Sequence, residues 1–297
     1  MPPWHSICLQ PGMADTLTLF HLSDIHFGLE DRAALDGVCA AIAQQRPAAI
    51  LITGDLTMRA RHREFAAARD WIAALDVPVT VEVGNHDMPY FNLWERFTDP
   101  YKRFLGVEHL LEKPLALPGI AVIPLLTTVK AQWRWPWSEG LVSERALAET
   151  LAAIDNVPVG TRVLVTAHHP LIERSPRGER LTIGGTRAMA ALAGRGVAAV
   201  LSGHVHDPFD LIARTANGPL RMIGAGTLSK RIRSTPASYN ELTITADAIT
   251  VKVRNFEAVP TADMQLGAVP KDALPPRHPG EPVAPVAAIP MINPPVH

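Results

Sequence analysis

Cysteine is nearly absent from this chain: Cys8 and Cys39 are the only two in 297 residues, and they stand at unrelated positions. A disulfide framework is thereby excluded, and a reducing, cytoplasmic setting is the expectation. Net charge is missing too, with 28 Lys and Arg against 29 Asp and Glu for a formal −1. That balance argues against a protein that holds nucleic acid by bulk electrostatics. No stretch approaches the ~18 continuous apolar residues of a membrane span, so no membrane association is expected. Residues 1–12 lack both the basic start and the apolar core of a secretory signal. They read as a disordered extension, with Met13 as an alternative start just before the first strand. The sequence shows no internal repeat.

What is present is an apolar chain, 47% hydrophobic and 19% charged. A chain of this length forms one large α/β domain or two small ones and buries roughly three-quarters of its unfolded surface. Leu17–Leu22, Ala48–Thr53 and Val77–Val83 read as buried strands, separated by helical spacing over Asp31–Arg46 and about Arg63–Leu75. This rhythm predicts a largely parallel sheet with right-handed crossovers. Short helices are expected over Tyr90–Phe104. Further strands follow at Ile120–Leu126, Thr161–Thr166 and Val197–Leu201, with helices at Ser143–Ile154 and Gly185–Gly194. Beyond His206, the runs Phe209–Arg214, Leu220–Ala225, Tyr239–Thr245 and Ile249–Phe256 have turn signals and no helical period. They are expected to form an antiparallel or mixed second sheet. The fold class is therefore α/β (α+β), a four-layer αββα sandwich of two mixed sheets flanked by helices. The domain is expected over 13–257, and the proline-rich segment 258–297 reads as an extended or disordered tail.

Five of these strands end in polar residues of one kind. They deliver Asp24 and His26, Asp55, Asn85 and His86, His168 and His169, and His204 and His206. Parallel strands point their C-terminal ends the same way, and open α/β sheets place their chemistry there. Carboxylate, amide oxygen and imidazole suit Mn, Fe or Zn, whereas thiolate is missing. Asp55 has two oxygens and is the kind of group that can bridge two ions. Gly54-Asp55 alone would be only a turn dipeptide, and His168-His169-Pro170 alone only a loop. Their convergence at successive strand ends is what points to a metal site.

Asp24-x-His26, Gly54-Asp55, Gly84-Asn85-His86-Asp87, His168-His169-Pro170 and Gly203-His204-Val205-His206 resemble, in order, the five motifs of the calcineurin-like metallophosphoesterase superfamily. The likeness runs from about Leu17 to Phe256. Within that superfamily, Gly54-Asp55-Leu56-Thr57, Pro89-Tyr90-Phe91-Asn92-Leu93 and Ser229–Asn240 resemble the bacterial cyclic-nucleotide phosphodiesterase-like (class III) members. The resemblance implies two divalent transition-metal ions, one on Asp24, His26 and His206 and one on Asn85, His168 and His204, with Asp55 between them. It favours His168 over His169 as ligand. It also implies attack of a metal-bridging hydroxide on phosphorus, with His86 stabilising the transition state or protonating the leaving oxygen.

The expected activity is hydrolysis of a small-molecule phosphodiester, a 3′,5′-cyclic nucleotide being one case. A phosphomonoesterase, a nuclease and a non-catalytic scaffold are the alternatives. All seven ligand positions are filled, which counts against a scaffold. Met58 stands where the phosphoprotein phosphatases of the superfamily carry an acid, and Asp87 where they carry Glu, so that branch is disfavoured. Glu82-Val83-Gly84 replaces the Val-Pro-Gly of many relatives. His21 reads as a packed core residue. The Trp133, Trp135 and Trp137 cluster reads as packing or a lid rim. Arg59, Arg61 and Arg63 read as a solvated charge run, and Arg231 and Arg233 are minor candidates to reach a phosphate. No substrate-binding residue is assigned, Asp87 has no readable role, and a homodimer is left open.

Overall fold

The computed structural model describes residues 16–89, 92–111, 115–129, 139–172 and 182–256. The expected 1–12 extension, the 258–297 tail and the Trp133–Trp137 cluster lie outside the described residues. Among these residues, no helix is long and apolar enough to cross a membrane.

Two five-stranded sheets carry the fold. The first comprises β1 (Leu17–Leu22), β2 (Ala49–Ile52), β3 (Val79–Val81), β11 (Ser238–Ile244) and β12 (Ile249–Asn255), in the order β12-β11-β1-β2-β3. The β1, β2 and β3 strands are parallel, while β11 runs antiparallel to both β1 and β12. The second comprises β4 (Ile120–Pro124), β6 (Arg162–Thr166), β8 (Ala199–Ser202), β9 (Phe209–Thr215) and β10 (Gly218–Gly224), in the order β4-β6-β8-β10-β9. Here β4, β6, β8 and β10 are parallel and β9 closes the edge antiparallel. A separate parallel pair joins β5 (Gly140–Leu141) to β7 (Thr182–Ile183).

Alternation along each strand sorts the side chains into layers, because successive residues face opposite sides of a sheet. In β1, Leu17 and Leu19 join Ala49 and Leu51 of β2 and Leu242 and Ile244 of β11. These meet Ile120, Val122, Leu164, Ala199, Leu201 and Ile223 of the other sheet. Phe20 and Leu22 face the opposite way, with Ile50 and Ile52, onto α1 (Arg32–Gln45), α2 (His62–Ala73) and α4 (Lys102–Leu111) through Val38, Phe65 and Phe104. On the far side, Val163, Val165, Val200 and Met222 pack against α5 (Glu144–Asp155) and α6 (Gly185–Ala193) through Leu147, Ile154, Met189 and Leu192. The αββα sandwich is thus observed. Both faces of the central strands are apolar, which is why those strands read as continuous hydrophobic runs.

One expectation is corrected. The four late strands do not form a sheet of their own. They split into two hairpins, β9/β10 extending the second sheet beside β8 and β11/β12 extending the first beside β1. The reason lies in which edge each inner strand can cover. β10 offers Ile223 and β11 offers Leu242 and Ile244 to the same central layer from opposite sheets.

Local signals set the helix starts. Asp31 and Ser143 cap α1 and α5 by accepting the N–H of Ala34 (3.2 Å) and Ala146 (3.1 Å). The α3 helix (Leu93–Thr98) begins at Asn92, whose side chain accepts from the Glu95 N–H.

Candidate metal centre

The C-terminal ends of β1, β2, β3, β6 and β8 come together where the two sheets meet, and all five motifs arrive there. The loops after β1 and β2 are zipped along their backbones. Asp24 N–H donates to Gly54 C=O, His26 N–H to Asp55 C=O and Phe27 N–H to Leu56 C=O. Within the second sheet Gly203 N–H donates to His168 C=O, and His204 N–H joins that sheet to the first on Asp24 Oδ2 at 2.8 Å.

The backbone of these loops is strained. Asp24, His26, Asp55, His204 and His206 all take positive φ, between 51° and 69°. Left-handed conformation costs roughly 1–3 kcal/mol for a residue other than glycine and persists only where surrounding contacts over-determine it. Five of the seven expected ligands carry that cost, and strain of this kind clusters at functional sites.

The side chains form two groups. In the first, His206 Nε2 lies 3.1 Å from Asp24 Oδ1 and 3.2 Å from His26 Nε2. In the second, Asn85 Oδ1 lies 3.0 Å from His168 Nε2 and 3.1 Å from His204 Nδ1. Asp55 reaches both, with Oδ2 3.8 Å from His26 Nε2 and Oδ1 3.5 Å from His168 Nε2. Asp24, His26, Asp55 and His168 are buried to within 2%.

The donor set fits bound metal. Asp24 Oδ1 is buried without a hydrogen-bond partner, while its Oδ2 is taken by Ser23 Oγ and His204 N–H. A buried, half-bonded carboxylate calls for a cation. The imidazoles are aimed from behind. Nδ1 of His26, His168 and His206 faces the backbone C=O of Thr57 (3.3 Å), Thr53 (2.8 Å) and Arg231 (2.7 Å). A carbonyl only accepts, so each Nδ1 carries a proton and each Nε2 is the ring nitrogen turned inward, the one left to bind a metal. His168, His169 and His204 can also share one ion. However, His169 is engaged by Thr127, whose Oγ1 lies 3.0 Å from Nδ1 and accepts the His169 backbone N–H, and its ring meets His168 edge-on and lies tilted against His204.

Charge is matched inside the group. Burial pushes the Asp24 and Asp55 carboxyls up, but His206 beside Asp24 and His168 beside Asp55 hold both well below the usual range. Burial opposes the charged form of His168 as well, yet Asp55 raises it to about 9. With weaker anionic partners, burial lowers His26 to about 4 and His204 to about 3.

The calcineurin-like phosphoesterase family model matches residues 17–208, from β1 through the fifth motif. The chain belongs to the calcineurin-like phosphoesterase family. Two curated relatives are each 31% identical over part of the chain. One, a "Probable cyclic nucleotide phosphodiesterase" of a Synechococcus species, aligns over 30% of this chain and 36% of its own length. The other, a "Probable glycerophosphodiester phosphodiesterase GpdQ" of Arcobacter nitrofigilis, aligns over 54% of this chain and 57% of its own. The chain therefore spans between a third and three-fifths of the curated relatives it matches. Among solved structures, a dimetal phosphatase from Danio rerio covers 80% of this chain and 96% of its own at TM-score 0.60 and 14% identity. Purple acid phosphatase PPD1 of yellow lupin covers 83% and 52% at TM-score 0.57 and 12% identity. Both likenesses concern the fold.

Around the centre of this calcineurin-like phosphoesterase lie groups that the motifs alone did not explain. His86 is half-buried; its N–H donates to Asp55 Oδ1 (2.8 Å) and its Nδ1 faces Met58 C=O (2.7 Å). Its Nε2 lies 3.1 Å from Arg231 Nη1. Asp87 points away from the centre. It accepts from Gly84 N–H, Leu56 N–H, Thr57 N–H and the Thr57 hydroxyl, fastening the β3 turn to the β2 loop. Burial and the nearby Asp55 push its carboxyl up to about 7 against those four donors. Glu82, which stands where Val-Pro-Gly has its valine, donates its N–H to Ile52 C=O, and its Oε1 accepts from Thr166 Oγ1 at 2.6 Å. Its substitution thus ties the edge of one sheet to β6 of the other. His21 is packed, with Nε2 3.0 Å from Thr53 Oγ1 and Nδ1 3.3 Å from Asn240 Nδ2. A surface cavity of about 750 Å³ between α2, α3 and α4 is lined by none of the strand-end Asp, Asn and His residues.

Proposed function

We propose that this chain is a dinuclear-metal phosphodiesterase acting on a small phosphodiester, with a 3′,5′-cyclic nucleotide as the first substrate to test. One ion would rest on Asp24, His26 and His206 and the other on Asn85, His168 and His204. Asp55 would serve both, and its two oxygens facing two separate ligand groups are the observation that carries the reading. Bound, such a pair supplies Lewis-acid polarisation of the phosphoryl group and a water activated near neutral pH; an Asp, His and Asn donor set accepts Mn, Fe or Zn.

The chain's own residues supply the rest. Asp24 and Asp55 bring only two negative charges, and Asn85 brings an oxygen with none, so the loaded centre stays attractive to an anion. The backbone carbonyls of Thr57, Thr53 and Arg231 hold three imidazoles in the required tautomer. His86 stands beside the centre, tethered through Nδ1, with Nε2 on the open side to stabilise the transition state or to protonate the leaving oxygen. The diester preference is supported by the activities for which the two curated relatives are named. The same reading places the metallophosphoesterase domain at 13–257 and the protein in the cytoplasm.

Metal-loaded protein should hydrolyse bis-p-nitrophenyl phosphate faster than p-nitrophenyl phosphate, and elemental analysis should find about two transition-metal ions per chain. A preference for the monoester would replace the diester reading with a phosphomonoesterase. No bound metal, and none taken up on reconstitution, would remove the metal centre altogether.

A further inference from the structure

Arg231 lies in the loop between β10 and β11, and the centre itself fixes its backbone. The Thr227 hydroxyl donates to Asp24 C=O (2.7 Å) and accepts from the Ser229 hydroxyl (2.7 Å). Ser229 Oγ in turn accepts the Arg231 N–H (3.2 Å), and Arg231 C=O accepts His206 Nδ1–H (2.7 Å). The loop is thus strapped to Asp24 at one end and to His206 at the other. The guanidinium then turns inward, with Nη1 3.1 Å from His86 Nε2 and 3.3 Å from His26 Nε2.

Arg162 spends its guanidinium on the backbone carbonyls of Thr245, Ala246 and Ala248, and several other arginines have an anion. Arg103, Arg187, Arg195, Arg221 and Arg254 are each paired with a carboxylate. Among the described residues, Arg231 has no carboxylate within ion-pairing distance, and its side-chain partners are two imidazoles and Met58 Sδ. A half-buried cation without an anion, held at the rim of a site by its own backbone, is an anion seat.

We infer that Arg231 is a substrate-binding residue that donates to a non-bridging oxygen of the substrate's phosphoryl group. This rests on the phosphoesterase reading above. An anionic phosphoryl oxygen is a far better acceptor for a guanidinium than a neutral imidazole, because charge-assisted hydrogen bonds are shorter and about twice as strong. Arg231 therefore exchanges His86 for phosphate when substrate arrives, which also clears Nε2 of His86 toward the ester.

The test uses inorganic phosphate as probe on the metal-loaded full chain, comparing Arg231→Gln and Arg231→Lys with the parent by calorimetric binding and by competitive inhibition. Both variants keep the backbone carbonyl on His206, so both should retain their metal. The Gln variant should bind phosphate about 10–100-fold more weakly, the range expected for a hydrogen bond to a charged group, with KM for bis-p-nitrophenyl phosphate rising more than kcat falls. The Lys variant should recover part of that loss, since it restores charge without the planar fork. Unchanged phosphate affinity in the Gln variant would overturn the inference. So would loss of metal together with phosphate binding, because Arg231 would then act by positioning His206. If the parent protein hydrolysed no phosphate ester, the activity reading would fail, while the calorimetric comparison would still decide whether Arg231 holds phosphate.

Discussion

The Asp87 carboxylate takes two hydrogen bonds from Thr57, one from its backbone N–H at 2.8 Å and one from its hydroxyl at 2.9 Å. Leu56 N–H and Gly84 N–H occupy the other oxygen at 3.1 and 3.0 Å. One buried carboxyl group therefore sets the distance between the loop carrying Asp55 and the turn carrying Asn85. Asp87→Ala would leave the N–H groups of Leu56, Thr57 and Gly84 buried without that acceptor, at about 3 kcal/mol or more, while the Thr57 hydroxyl keeps His86 C=O. Urea unfolding with a chelator present should show a loss of that order, and metal retention should weaken with it. An unchanged unfolding midpoint would mean that the two loops are held by something else.

Gly84 is required by close approach. A Cβ there would meet Asp55 Oδ1 at 2.0 Å and Asp55 N at 2.2 Å, and neither the backbone nor a fixed carboxylate can yield. Gly84→Ala should therefore displace Asp55 and lower metal content per chain by elemental analysis, while the sheets stay folded by circular dichroism. Gly106→Ala in α4 is the control. Its Cβ would meet nothing within 4 Å, and alanine in a helix interior is worth about 1 kcal/mol over glycine. That variant should be slightly more stable and fully metallated.

The polar residues that the structure brings together were legible in the sequence because residue type and strand-end position both point to them. Asp24, Asp55, Asn85, His168 and His204 each follow an apolar run whose direction is fixed by parallel crossovers. The αββα layering followed from the same runs. The assignment of the late strands did not. β10 and β11 carry similar patterns, and which sheet each one joins depends on an edge that only the assembled core defines. Asp87 was visible in its motif, but its meaning depends on Thr57, 30 residues earlier. Arg231 meets His86 across 145 residues, and no local spacing signals that contact. The left-handed backbone of the ligands was equally hidden, since neither Asp24 nor His206 announces a positive φ.

His86 should be separable from metal binding. Its ring meets Met58 C=O, Arg231 and, edge-on, the His26 ring, and its backbone N–H donates to Asp55. His86→Ala keeps that N–H and should retain the metal. Its turnover should fall by roughly 10²–10⁴-fold, the usual worth of a positioned proton donor. Metal content and single-turnover hydrolysis of bis-p-nitrophenyl phosphate, measured on one preparation, decide the matter. Full activity in the variant would exclude His86 from the chemistry.

His21 should give the folded protein a pH dependence of known sign. It is fully buried between Thr53 and Asn240, and burial lowers it from 6.5 to about 3 against a smaller opposing pull from Asp24. Above pH 6.5 neither the folded nor the unfolded state protonates it, so it contributes no slope. As pH falls from 6.5 toward 3, the unfolded chain takes up a proton that the folded chain refuses, and stability drops by up to about 1.4 kcal/mol per pH unit. In metal-free protein His26 and His204 act in the same direction and His168 and His206 in the opposite one, so the total slope is not diagnostic. The difference between parent and His21→Gln is. The variant should lose some stability at pH 8, where its hydrogen bonds are poorer, yet fall less steeply between pH 6.5 and 4.5. Urea unfolding at several pH values with chelator present measures both slopes. Parallel curves would mean that His21 is protonated equally in the two states, and that its contacts with Thr53 and Asn240 accommodate the charge.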